Sequence, residues 1–144
     1  MRSQYSNTKS VISALTGLAI DRGLIERTAS EIYQYLPNSI RAGMSEDAKR
    51  ITIHHLLTMT SGFEDNGGTG SVNAELLGAY FRRGLNHAPG EAFADNGNNP
   101  NLPSVIITEK SGMRASEFAR KHLFHPIGIK QAKWDEDVKY TMRA

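Results

Sequence analysis

The stretch Ser6–Ile25, "SNTKSVISALTGLAIDRGLI", places a serine and a lysine three residues apart at the head of a periodic apolar segment. Val11, Ile12, Leu15, Leu18 and Ala19 recur at helical spacing, and Gly23 stands where a helix C-cap belongs. The spacing predicts a helix over 8–22 that buries one stripe. Ser6 and Lys9 share another face, with Ser13 roughly on the same side. Two readings are open here. Either Ser6 caps an exposed helix start and Lys9 is solvated, or the two are a nucleophile and its base. A serine hydroxyl needs a base to attack a carbonyl. A lysine can be that base only when it is uncharged. The positive end of the helix dipole would help the serine lose its proton.

Working outward, most segments also read as helix. Glu31–Leu36 is a short one, ended by Pro37, and 38–50 reads as a polar connection. Thr52 looks like the cap of "IHHLLTMT", stopped by Ser61-Gly62. "EDNGGTGSVN" (64–73) is a loop rich in Gly, Asn and Asp. Asn73 can cap a helix over 74–83 that turns Leu76, Leu77, Tyr80 and Phe81 inward. "HAPGEAFADNGNNPN" (87–101) is a second long loop. Pro100 suits the first turn of the helix that follows, with Leu102, Val105 and Ile106 as its apolar face and Ser111-Gly112 as its end. Pro103 either falls in that first turn or costs stability. Ser116 opens a last helix through Phe124, closed by Pro126, and the tail with Trp134 has no clear element. The β-like pieces are "RITI" (50–53) and "VIIT" (105–108), and the second sits better in a helix.

The chain has 144 residues, 39% hydrophobic and 22% charged, which fits one globular domain over 1–144. A net charge of +2 with scattered basic residues gives no case for nucleic acid. No apolar run is long enough for a membrane span. No signal-peptide core is visible in residues 1–10, so the compartment stays open. With no cysteine, disulfides, thiolate metal sites and cysteine nucleophiles are excluded.

"SNTKSVISALTGLAIDRGLI", "YLP", "ITIHHLLTMTSGF", "PGEAF", "NLPSVIITEKSG" and "LFHPIGI" occur in this order. Together they resemble the serine hydrolases of the β-lactamase and penicillin-binding type, in their class C-like branch, from about Tyr5 to Trp134. The resemblance implies that Ser6 is the acyl-forming nucleophile and Lys9 its general base. It also implies that the Ser6 amide is half of an oxyanion hole, completed by a late edge strand. Substrates implied are β-lactams, D-Ala-D-Ala peptides, small esters or amides, with no cofactor. Relatives that act on cell-wall peptides work outside the cytoplasm.

Two of the family's motifs depart from pattern. The Tyr-x-Asn motif is expected after "PG..F". Aligned without gaps, Asp95 takes the place of the tyrosine and Gly97 that of the asparagine, with Asn96 and Asn98 on either side. Asp95, Asn96 and Asn98 are therefore the candidate substrate-binding residues. They are equally readable as caps of a polar turn. An ion pair of Asp95 with Lys9 would oppose base catalysis. The third motif, Lys-Thr-Gly or His-x-Gly on a strand, does not occur before Ala144.

The fold expected is therefore mainly α. It is the helical region of a β-lactamase-like α/β (α+β) fold, with most of the central antiparallel sheet lying outside this chain. Val11, Leu15 and Leu18 would then lack the sheet that should cover them. Each is worth about 1.5–3 kcal/mol when buried, against a total stability of roughly 5–15 kcal/mol. The first helix is accordingly expected to pack differently or to self-associate through its uncovered face. A catalytically inactive helical binding module is the alternative to the enzyme.

No metal site is expected. His54 and His55 are adjacent and diverge on a helix, and His122 and His125 lack a carboxylate to complete a set. Ser61 reads as a helix-end cap.

Overall fold

A computed structural model describes residues 6–65, 67 and 74–132, with the side chains of 74–76 excepted. The expected cap at Asn73, the "GGTG" loop beyond Gly67 and the tail around Trp134 lie outside the described residues. The described chain is mainly helical: α1 (Asn7–Asp21), α2 (Asn38–Arg41), α3 (Glu46–Lys49), α4 (Ile53–Leu57), α5 (Ala74–Arg82), α6 (Asn98–Ser111) and α7 (Ala115–Ala119). A single 3-10 turn, Ile32–Gln34, precedes α2, and α7 runs on into a π-turn, Arg120–Phe124.

Helix α1 ends as its sequence suggests. Gly23 is left-handed (φ 71°), its N–H donates to the Ile20 carbonyl (2.9 Å), and the Leu24 N–H reaches back to Ala19 (2.9 Å). That is a Schellman stop, which satisfies two of the carbonyls a helix end leaves open. Gly112 (φ 70°) closes α6 with a bond from its N–H to Thr108. "RITI" is only an isolated antiparallel bridge, Thr52 opposite Glu31. The helix it leads into stops at Leu57, because Met59 turns left-handed (φ 59°), short of the expected Ser61-Gly62.

Two expectations about loops are corrected. The "polar connection" 38–50 holds α2 and α3, with Ile40, Met44 and Ala48 buried. Ser45 caps α3 by accepting from the Ala48 amide (3.2 Å). The second long loop ends early, since α6 starts at Asn98 and not at Pro100. Pro103 thus falls in the second turn, where it removes one helical hydrogen bond.

Helix α6 is the centre of the body. Every residue from Asn98 to Ile107 is buried, and α1, α4 and α7 all pack on it. A helix buried on all sides is a core element. Ile12, Leu15 and Ala19 of α1 join Leu102, Val105, Ile106 and Phe118 in one continuous cluster. The face of α1 expected to lie open is therefore largely covered from within the chain. Leu15 is fully buried, and only Val11 and Leu18 remain half-exposed. On the other side α5 crosses α2 closely. A Cβ on Gly43 would sit 2.6 Å from the Gly78 carbonyl oxygen, so glycine lets the two backbones meet.

Candidate functional site

Ser6 is the N-cap of α1 and is exposed, with its carbonyl accepting from the Lys9 amide (3.0 Å) and its hydroxyl making no cap bond. The hydroxyl is not bonded to the Lys9 ammonium. Lys9 Nζ instead donates to Asp95 Oδ1 at 3.0 Å, an ion pair whose side chains are 31% and 43% exposed. The fold thus joins the Ser-x-x-Lys element to the position of the altered second motif.

Asp95 is placed there by a segment laid along 59–62. The Ala94 N–H donates to Met59 O (3.0 Å), the Gly90 N–H to Thr60 O (2.7 Å), and the Asn86 N–H to Gly62 O (2.8 Å). Gly62 is left-handed (φ 89°), and any Cβ there would collide with the His87 carbonyl. The Asp95 amide donates to Asp65 Oδ2 (3.4 Å).

Asn96 and Asn98, which follow Asp95 in the chain, are buried. The Asn96 amide donates to the Glu64 carbonyl (2.6 Å) and to the Tyr80 hydroxyl oxygen, and its Oδ1 accepts from the Asn98 N–H (2.9 Å). Burial raises the Tyr80 phenol above its ordinary value, with hydrogen bonds from Asn96 and Asn98 acting against it. Tyr80 therefore keeps its proton at neutral pH. Sequence reading assigned Tyr80 only to an apolar face, and its one signal was a hydroxyl on an otherwise apolar stripe.

Ser61 is neither a cap nor exposed. It is buried, and its hydroxyl donates to Asn99 Oδ1 (2.6 Å), tying the "TSGF" segment to α6. Among the described residues, Asn99 Nδ2, Ser104 Oγ and Thr108 Oγ1 are buried without a hydrogen-bond partner. Two of the histidines serve the fold. His55 Nδ1 accepts from the Thr52 amide (3.1 Å) while Thr52 Oγ1 accepts from the His55 amide (3.2 Å), a reciprocal cap on α4. His122 accepts from Arg22 Nη2 (2.8 Å) and lies against Phe118. Among the described residues no three His, Asp or Glu side chains are grouped to hold a metal, and no helix is long and apolar enough to cross a membrane.

The profile of the Beta-lactamase family matches residues 4–141. The chain belongs to the beta-lactamase family. Its fold is similar to that of the octameric penicillin-binding protein homologue from Pyrococcus abyssi (TM-score 0.73, 20% identity, 92% of this chain and 32% of that one). It is also similar to SurE (TM-score 0.71, 21% identity, 92% and 28%) and to a D-stereospecific amidohydrolase from Streptomyces sp. (TM-score 0.69, 18% identity, 85% and 41%). No curated protein sequence matches. At these identities the structural likeness shows the fold alone. The chain spans about a third of the length of these proteins, the part of the beta-lactamase-like fold that is helical.

Proposed function

We propose that the protein is a serine hydrolase that cleaves amide or ester bonds, in a β-lactam, a D-Ala-D-Ala peptide or a small ester, through an acyl-Ser6 intermediate. Ser6 Oγ adds to the substrate carbonyl and passes its proton to Lys9. The carbonyl–heteroatom bond then breaks, and the leaving alkoxide or amine takes that proton. Water releases the acyl group in a second step. The observation that carries this reading is the Lys9–Asp95 bond. It brings the two segments that the family uses for proton transfer into direct contact across 86 residues.

The same bond opposes the reading in its resting form, since an ammonium in an ion pair is no base. Both side chains are substantially exposed, and such pairs are worth about 0.2–1 kcal/mol. Separating the pair when substrate binds therefore costs a factor of about five at most, after which the ammonium gives up its proton to solvent before Lys9 serves as base. Asp95 faces substrate in this account. Asn96 and Asn98, being buried, position Asp95.

The second reading, an inactive binding or association module, draws on the same ion pair. It also draws on the half-exposed Val11 and Leu18 and the exposed Ile127 and Ile129, which support self-association. Turnover of a chromogenic small ester separates the two. The hydrolase reading expects turnover that Ser6→Ala abolishes. Turnover unchanged by Ser6→Ala, or none at all, leaves the module.

A further inference from the structure

We propose that Asp95 is a receptor for a substrate ammonium group, so that the preferred substrates are esters or amides with a cationic amine close to the scissile carbonyl. The incoming cation replaces Lys9 on Asp95, and the freed Lys9 ammonium gives up its proton to solvent before it serves Ser6 as base. This rests on the hydrolase reading above and names the substrate class of that site.

Three observations carry it. First, Asp95 already holds an ammonium in this structure, and only through Oδ1. Its side chain is 43% exposed, and Oδ2 makes no hydrogen bond among the described residues. A second cation can therefore approach the carboxylate from solvent. The pair is weak enough for exchange. Second, the surroundings favour a cation with an apolar body. Asp65 Oδ2 lies 3.4 Å from the Asp95 amide and adds a negative charge. Phe93, two residues before Asp95, is 70% exposed, an aromatic surface that can lie against an ammonium or its carbon frame. Third, Lys9 and Ser6 are one helical turn apart, with Cβ atoms at i and i+3 about 5–6 Å from each other. Asp95, in contact with Lys9 Nζ, thus lies at the end of α1 that carries Ser6.

A tyrosine at position 95 could not select in this way. A carboxylate there disfavours an anionic substrate and leaves a neutral one to open the Lys9 pair without compensation. A cationic substrate both binds Asp95 and displaces Lys9 from it. Specificity and activation then depend on the same carboxylate.

The test uses the Ser6→Ala protein, so that binding is read without turnover. Phenylalaninamide and its neutral counterpart 3-phenylpropanamide are titrated, with the Lys9 side-chain nitrogen followed by NMR. Phenylalaninamide is expected to bind at least tenfold more tightly and to move the Lys9 signal. Asp95→Asn should reduce that preference to within about twofold, and Asp95→Glu should keep most of it, which guards against loss through misfolding. Equal binding of the two amides, no binding, an unmoved Lys9 signal, or a preference that survives Asp95→Asn overturns the proposal. The hydrolase reading fails separately. It falls if Ser6 of the unaltered protein is acylated by neither charged nor neutral esters while the binding preference stands. Equal acylation by both ester types sinks this inference and leaves the hydrolase.

Discussion

Lys9 and Asp95 are joined by a 3.0 Å ion pair at the head of α1, one turn from the exposed Ser6. The contact occupies the ammonium that the proposed chemistry needs. Replacing Asp95 by Asn removes the competing charge and leaves Nζ available to Ser6. Toward a neutral ester, acylation of Ser6 should rise by up to about fivefold, the population factor for a pair of about 1 kcal/mol. Pre-steady-state labelling of the two proteins measures it. A fall in rate would mean that Asp95 itself takes part in proton transfer. Stability should change by less than about 1 kcal/mol.

Gly62 is held at φ 89° against the His87 carbonyl, where the 86–94 segment is anchored. Alanine there meets both a forbidden backbone and a collision. Gly62→Ala should lower stability by more than about 1–3 kcal/mol, the range for a strained residue, and a urea midpoint reads this. Acylation should fall too, because the same anchor places Asp95. A variant with wild-type stability would show that the loop can shift freely.

The covering of α1 by α6 can be checked by truncation. Leu15 is fully buried, and Leu15→Ala should cost about 2–5 kcal/mol. Val11, half-exposed, should cost much less when cut to alanine. Similar costs at the two positions would mean that α1 packs differently in solution. A concentration-dependent midpoint would instead point to self-association.

His55 gives the fold a pH dependence. Burial, and then the charge of His54, push its imidazole below the ordinary value of 6.5. The folded state therefore binds fewer protons than the unfolded chain, and stability rises with pH through this window. It is complete above about 6.5 and declines as pH falls below it. Protonation also turns Nδ1 from acceptor to donor, which breaks the bond from the Thr52 amide. His55→Gln should flatten the difference between urea midpoints at about pH 7.5 and 5.5. An identical pH slope in the variant would assign the effect elsewhere.

Much of the fold was legible wherever one physical signal dominated. Apolar spacing and left-handed glycines gave α1 and the end of α6. The ordered series of segments around "ITIHHLLTMTSGF" pointed to the family that the profile match shows. The signal failed where elements are too short for periodicity. Helices α2 and α3 are one turn each, and their stabilising residues, Ile40, Met44 and Ala48, are spread among polar ones. It failed again at 96–101, where asparagines read as loop. Burial there is offset by long-range bonds, Asn96 to Glu64 and Ser61 to Asn99, between residues far apart in sequence. In the candidate site, Ser6 and Lys9 were visible from their spacing, and the Lys9–Asp95 contact was foreseeable from the resemblance. The Tyr80–Asn96 contact was not, because nothing local links α5 to the 95–98 segment.

The central claim is that Ser6 is a nucleophile. Intact-mass and peptide mass spectrometry after incubation with a fluorophosphonate tests it directly. The account predicts one adduct, on Ser6, absent in Ser6→Ala and slowed at least tenfold in Lys9→Ala. No adduct after long exposure, or one that survives Ser6→Ala, would contradict it.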